Sequence, residues 1–129
     1  MNLVGGDANN VKGDKHKVIG IANEVHGQKN NVTGSVNYVD GEGNSVTRHY
    51  NKLKGDQNKL DGIGNVVIGD GNKVNGHKSI IKGRENNVTG SNHRVKGDTN
   101  TIKGQSNYIV GNNNIVEQSF EFEEMPILC

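Results

Sequence analysis

A seven-residue repeat runs through this chain from Asn2 to Gln118 without insertion or deletion. Written as x-x-Asn-x-Val-x-Gly, it is clearest in residues 65–76, which read NVVIGDGNKVNG. The aliphatic position is Val, Leu or Ile in all 17 units, the Asn position holds in 14 and the Gly position in 15, so the register is unambiguous. The exceptions are His16, Ser79 and His93 in place of Asn, and Arg48 and Gln118 in place of Gly. Such self-similarity predicts a repeat architecture.

The repeat reverses what the composition alone would indicate. Only 30% of the 129 residues are hydrophobic and 4% are aromatic, which without periodicity would be typical of a disordered chain. One aliphatic residue per unit is enough if the units stack, because stacked repeats share a continuous thin core. A coiled coil is excluded, since each unit has a single aliphatic position and a Gly.

The spacing inside the unit predicts β-strands. In Asn-x-Val-x-Gly the Asn and Val side chains point to one side of a strand and the two x residues to the other. Gly then permits the corner, where the backbone needs a positive φ or a close approach. The residue after each Gly alternates between a mostly acid or amide series, such as Asp56 and Asp70, and a mixed series that includes Ile21 and Ile63. A period of 14 therefore overlies the period of 7.

We predict an all-β fold, a parallel β-solenoid with two seven-residue units per 14-residue coil and about eight coils. The solenoid domain spans 1–118, and 119–129 is expected to be a C-terminal capping tail that covers the last coil. The inward Asn side chains should form ladders along the rod, with His16, Ser79 and His93 as members that keep a donor or an acceptor. No metal site or cofactor is expected, since His49 and His77 lie two coils apart at their shared corner.

A solenoid this thin leaves no interior for a ligand, so we expect function on its outer walls. The first face displays these outward pairs: Leu3/Gly5, Lys17/Ile19, Asn31/Thr33, Ser45/Thr47, Lys59/Asp61, Lys73/Asn75, Asn87/Thr89, Thr101/Lys103 and Ile115/Glu117. The second face displays these: Asn10/Lys12, Glu24/His26, Tyr38/Asp40, Lys52/Lys54, Val66/Ile68, Ile80/Lys82, Arg94/Lys96 and Tyr108/Val110. Six of the 18 residues on the first face are charged, against eight of 16 on the second.

The repeat resembles that of the grass ice-recrystallisation-inhibition proteins, and residues 90–97 (GSNHRVKG) and 111–116 (GNNNIV) are close in style. The resemblance implies a left-handed β-roll, an extracellular (apoplastic) location and adsorption to an ice surface through one flat β-face. The short polar residues of the first face that match such a face are Asn31, Thr33, Ser45, Thr47, Asn87, Thr89 and Thr101. Lys59, Asp61 and Lys73 depart from the pattern by placing charges in the middle of this ladder.

Other functions are also considered. Residues 17–20 (KVIG) and 66–69 (VVIG) resemble strings in the β-roll heads of trimeric bacterial adhesins, which implies a scaffold that self-associates through Val66, Ile68 and Ile80, or through its uncapped end. Nucleic-acid binding by the basic residues of the second face is disfavoured, since the formal net charge is +1. Enzymatic activity is not expected, because no phosphate loop, zinc spacing or nucleophile arrangement appears. The sequence contains no run of 18 apolar residues, so no membrane span is predicted.

Overall fold

The computed structural model describes residues 1–117, which form two parallel sheets. The strands are β1 (Leu3–Gly5), β2 (Asn10–Asp14), β3 (Lys17–Ile21), β4 (Glu24–Gln28), β5 (Asn31–Ser35), β6 (Tyr38–Glu42), β7 (Ser45–His49), β8 (Lys52–Lys54), β9 (Lys59–Ile63), β10 (Val66–Ile68), β11 (Lys73–His77), β12 (Ile80–Lys82), β13 (Asn87–Ser91), β14 (Arg94–Lys96), β15 (Thr101–Gln105), β16 (Tyr108–Val110) and β17 (Ile115–Glu117). Odd-numbered strands make a nine-stranded sheet and even-numbered strands an eight-stranded one.

Each strand pairs with the strand that begins 14 residues later. Val18 lies opposite Val32, Val32 opposite Val46, and the same offset holds in the other sheet, where Val67 lies opposite Ile81. One coil is therefore two seven-residue units, and about eight coils at ~4.8 Å spacing give a rod of roughly 40 Å. The predicted parallel β-solenoid and its 14-residue period are confirmed.

The core is a single column of aliphatic side chains held between the two sheets. Thirteen of the seventeen repeat positions are at most 2% exposed: Val18, Val25, Val32, Val39, Val46, Leu53, Leu60, Val67, Val74, Ile81, Val88, Val95 and Ile102. Val11, Ile109 and Val116 pack on the column at its two ends. Because each coil contributes only two such residues, the remaining stability has to come from the polar groups buried beside them.

Those polar groups are Asn side chains arranged in two ladders. The Asn58 side-chain oxygen accepts hydrogen bonds from the backbone N–H of Asn72 at 2.9 Å and from its side-chain amide at 3.1 Å. The Asn58 amide in turn donates to the Gly69 carbonyl at 2.7 Å, in the same corner of the next coil. Most other coils repeat these bonds, so each Asn satisfies buried backbone groups of the next coil as well as its neighbour in the ladder. The predicted Asn ladder is confirmed.

The three exceptions to Asn remain inside the ladders. The ring of His16 accepts from the Asn30 backbone N–H through Nδ1 at 3.2 Å, and its Nε2 lies 3.1 Å from the Lys12 carbonyl. The tautomer with the proton on Nε2 satisfies both contacts. His93 makes the equivalent contacts with Asn107 and Thr89, and the Ser79 hydroxyl accepts from the His93 N–H at 3.2 Å. The imidazole thus replaces the amide at reduced hydrogen-bonding capacity.

Replacing His16 by Asn should stabilise the protein. His16→Asn restores the side-chain amide that links neighbouring ladder members, and the position already lies between Asn2 and Asn30 in the same column. We expect the free energy of unfolding to rise by about 1 kcal/mol, the net value of one hydrogen bond. Thermal and urea unfolding followed by circular dichroism measure the change. An unchanged or lower unfolding midpoint would show that His16 packs better than the amide.

The acid and amide residues of one corner also bond along the rod. The Asp70 carboxylate accepts from the Asp56 backbone N–H at 2.9 Å, and the Asp56 carboxylate accepts from the Glu42 N–H at 2.8 Å. In the same way, the Asp98 side chain accepts from the Arg84 backbone N–H, and the Asn112 side chain accepts from the Asp98 backbone N–H. This explains why one of the two corners is rich in Asp and Asn. The proposed capping tail 119–129 lies outside the described residues.

Candidate functional site

The outer side of the nine-stranded sheet holds all seven residues that the sequence assigned to an ice-binding face. On β5 and β7, Asn31 lies opposite Ser45 and Thr33 opposite Thr47, in exact parallel register. The two Thr side chains and Asn31 are exposed and Ser45 is half-buried. Neighbouring strands lie ~4.8 Å apart, so these four side chains form a small flat array of hydroxyl, methyl and amide groups. We call it the N-terminal patch.

A second array lies further along the same face. On β13 and β15, Asn87 lies opposite Thr101, and Thr89 lies opposite Lys103. Asn87 and Thr89 are exposed, whereas Thr101 is half-buried. Asn87, Thr89 and Thr101 form the C-terminal patch, which Lys103 limits on one side. The fourth position of this array is therefore a cation, held 3.5 Å from the Glu117 carboxylate.

Two strands of charged residues separate the patches. β9 contributes Lys59 and Asp61 and β11 contributes Lys73, each in register with the patch strands beside it. β7 and β13 are separated by three inter-strand spacings, or roughly 14 Å. Asp61 is paired with the Arg48 guanidinium at 3.1 Å, while Lys59 and Lys73 form no ion pair with any residue in the described part of the chain. The structure thus separates the predicted residues into two groups, with the charges noted in the sequence lying between them.

Two further residues belong to these arrays by register. Ile19 lies opposite Thr33 and is 43% exposed, so it extends the Thr33–Thr47 column by one coil. Asn75 lies opposite Thr89 and extends the C-terminal patch toward the middle of the face. Sequence reasoning assigned both to the first face but left them out of the site. They lie 14 residues from Thr33 and Thr89, so the 14-residue period could have identified them as members of the site.

The apolar residues assigned to self-association lie together on the second face. Val66 lies opposite Ile80 on β10 and β12, and Ile68 is next to them opposite Lys82. Ile68 and Ile80 are 39% and 38% exposed, but Val66, expected to be exposed, is half-buried. Lysines flank the group on both sides: Lys52 and Lys54 on β8, and Lys82 on β12. Nothing in the structure tests self-association, which stays a prediction.

The chemistry offered by the first face is that of an ordered polar surface. Its hydroxyl and amide groups repeat along a rigid sheet and can hold water molecules at fixed positions. Among residues 1–117, no group of three or more His, Cys, Asp or Glu side chains is placed to hold a metal ion. That part of the chain also contains no helix long and apolar enough to span a bilayer.

Comparison with known proteins agrees with the β-roll fold. A family model described as grass antifreeze β-roll matches residues 51–122, which is more than half of the chain. The match covers the C-terminal patch and the charged strands, and it continues through the last repeat units. No curated protein matches the sequence. The extent of the family match shows that the chain belongs to the grass antifreeze β-roll family, which supports an ice-binding role in general.

Proposed function

We propose that the protein adsorbs to ice through its first face and thereby inhibits the growth of ice grains, without catalysing a reaction. Membership in the antifreeze β-roll family supports the ice target and fits a non-enzymatic role. The observation that carries the choice of face is the register of Asn31 with Ser45 and of Thr33 with Thr47 on adjacent strands. An extracellular location, where the protein would meet ice, is part of the same proposal.

The physical argument rests on order in the side chains. A lattice of water can match a protein surface only if the surface groups keep fixed positions, because fixing mobile side chains costs conformational entropy. Thr is β-branched and restricted at χ1, and its methyl and hydroxyl groups stand at defined positions on a sheet. The strands below are held in place by two Asn ladders, so the array repeats at ~4.8 Å with little freedom to bend.

The second face is a poorer candidate for ice. Half of its outward residues are charged, and long Lys and Arg side chains lose about 2 kcal/mol of rotamer freedom each when fixed. The first face keeps its charges mainly on β9 and β11 and near its two ends, so the N-terminal patch is free of them and the C-terminal patch meets one only at its edge, at Lys103. Each patch can therefore meet an ice surface without displacing a hydrated charge from its own centre.

Three Thr to Lys substitutions test the face. Thr33→Lys, Thr47→Lys and Thr89→Lys together place a long hydrated cation in both patches, at exposed positions that do not contact the core. We expect the triple variant to lose ice-recrystallisation inhibition while its circular dichroism spectrum and unfolding midpoint stay close to those of the parent protein. Splat-cooled samples, in which ice-grain size is followed during annealing, measure the effect.

The control adds the same charge to the opposite wall. Asn10→Lys, Ile68→Lys and Val110→Lys are substitutions at exposed positions of the second face and should leave inhibition unchanged. Loss of inhibition in the control with retention in the Thr variant would place the ice-binding surface on the second face. Equal loss in both would indicate that added charge, rather than a particular face, is responsible.

A further inference from the structure

Part of the second face is a basic strip without acidic residues. From β8 to β16 its outward residues are Lys52, Lys54, Val66, Ile68, Ile80, Lys82, Arg94, Lys96, Tyr108 and Val110. Five of these ten are cations and none is a carboxylate, although the whole chain has a formal net charge of only +1. The acidic residues of this face, Glu24 and Asp40, lie on β4 and β6, outside the strip.

The five cations of the basic strip are available to a ligand. All are exposed, and none forms an ion pair with a carboxylate within residues 1–117. Lys54 and Arg94 instead lie over the rings of Tyr38 and Tyr108, at 6.0 and 5.8 Å from the ring centroids. Neither contact neutralises the cation, so the strip retains a concentrated positive charge at the protein surface.

At one end of the strip these groups form a shallow groove of about 140 Å³. Lys82, Arg94 and Lys96 line it together with the Tyr108 ring and the side chains of Ile80 and Val110. The register places Lys82 opposite Lys96 and Arg94 opposite Tyr108, so three adjacent cations lie between Ile80 at one side and Tyr108 with Val110 at the other. Such a groove suits a ligand that carries regularly spaced anions on a partly apolar ring.

The shape of the strip limits the size of the anion. It is two outward side chains wide, or about 7 Å, and its positions repeat along the rod at ~4.8 Å. The corners that follow β8, β10 and β14 carry Asp56, Asp70 and Asp98, whereas Arg84 follows β12 and Asn112 follows β16. A broad anionic surface such as a bilayer would also meet these carboxylates and be repelled, whereas one narrow linear chain lying along the strip would not.

We propose that the basic strip binds a linear acidic polysaccharide, a polyuronate, through its sugar carboxylates. Lys and Arg side chains pair with the carboxylates, and Ile68, Ile80 and Tyr108 contact the C–H faces of the sugar rings between them. Single-stranded nucleic acid fits less well, because nonspecific binding uses aromatic platforms for successive bases and the strip itself has a single aromatic residue. This site is separate from the ice-binding face and does not depend on it.

Binding to sodium polygalacturonate tests the proposal. We expect the protein to bind it at low ionic strength, to release it as NaCl concentration rises, and to bind the fully methyl-esterified, uncharged polymer far more weakly. Lys82→Gln, Arg94→Gln and Lys96→Gln together should weaken binding about tenfold or more, since three exposed ion pairs are lost. Isothermal titration calorimetry or biolayer interferometry on the whole protein measures the affinities.

The matched control removes the same charge from the first face. Lys17→Gln, Lys59→Gln and Lys73→Gln should leave polyuronate affinity within about twofold of the parent, because these residues lie on the opposite wall. Equal loss in both triple variants would mean attraction by net charge alone and would overturn the site. So would tighter binding to a single-stranded oligonucleotide or to anionic lipid vesicles than to polygalacturonate. All six positions are exposed, and circular dichroism verifies that both variants are folded.

Discussion

Gly62→Ala should destabilise the solenoid by about 4 kcal/mol, an exceptionally large effect for one substitution, because a side chain at this position forces the backbone to move. A Cβ at Gly62 would lie 1.7 Å from the carbonyl oxygen of Gly76 in the next coil and 2.8 Å from the Asn65 amide. The φ of Gly62 is +155°, which L-residues rarely adopt. The Gly62 carbonyl also accepts the Asn51 amide at 2.7 Å, so a shift of this backbone disturbs the ladder as well.

Gly64→Ala, two residues away at the same corner, is the control. A Cβ there would have only the Lys78 side chain within 4 Å, at 3.9 Å, and the φ of +71° is close to that of Tyr50 and Lys78 in neighbouring coils. We expect its free energy of unfolding to stay within about 1 kcal/mol of the parent, because left-handed strain is offset by the lower entropy of the unfolded chain. Urea unfolding followed by circular dichroism compares the two; equal stabilities would contradict the close-contact explanation.

Most of the fold could be predicted because every coil repeats the same short sequence pattern. The alternation within Asn-x-Val-x-Gly decides which side chains face inward, and a stacked repeat then places Val18 under Val32 and Asn58 under Asn72 with no further information. The two corner series, one rich in Asp and one mixed, revealed the 14-residue coil. The bonds of Asp56 and Asp70 along the rod supply the physical cause of that difference.

The positions where the repeat pattern fails depend on backbone conformation, which the residue types alone do not reveal. Arg48 occupies a Gly position at φ +86°, and the register between β7 and β9 ends one residue before it, at Thr47 opposite Asp61. The ladder survives because its bond there uses the Arg48 carbonyl, which accepts the Asn37 amide at 2.7 Å. The positive φ of Tyr50 could not be predicted either, since only some coils place Gly at that position. For the site, the sequence assigned each residue to a face and placed three charges in the middle of the ladder, but the half-burial of Ser45 and Thr101 depends on packing that the pattern does not show.

Removing the central charges should therefore raise ice-recrystallisation inhibition. Lys59→Thr, Asp61→Thr and Lys73→Thr replace the charged side chains between the N-terminal and C-terminal patches with the residue type that the patches already contain. The register then aligns short polar side chains on six adjacent strands, β5 to β15, at ~4.8 Å intervals. Thr suits strand positions that are exposed, as Lys59 and Lys73 are, or half-buried, as Asp61 is, and the lost Arg48–Asp61 pair is a surface ion pair worth at most about 1 kcal/mol.

We expect the triple variant to inhibit grain growth at a severalfold lower protein concentration than the parent in the splat-cooling assay. The gain should exceed the sum of the single substitutions, because adsorption strengthens with the length of uninterrupted array that meets the ice. Lys54→Thr, Asp40→Thr and Lys82→Thr make the same change in charge on the second face and should leave inhibition at the parent value. A gain in this control would mean that lower charge anywhere improves inhibition, while no gain in the first variant would show that the two patches do not act as parts of one surface.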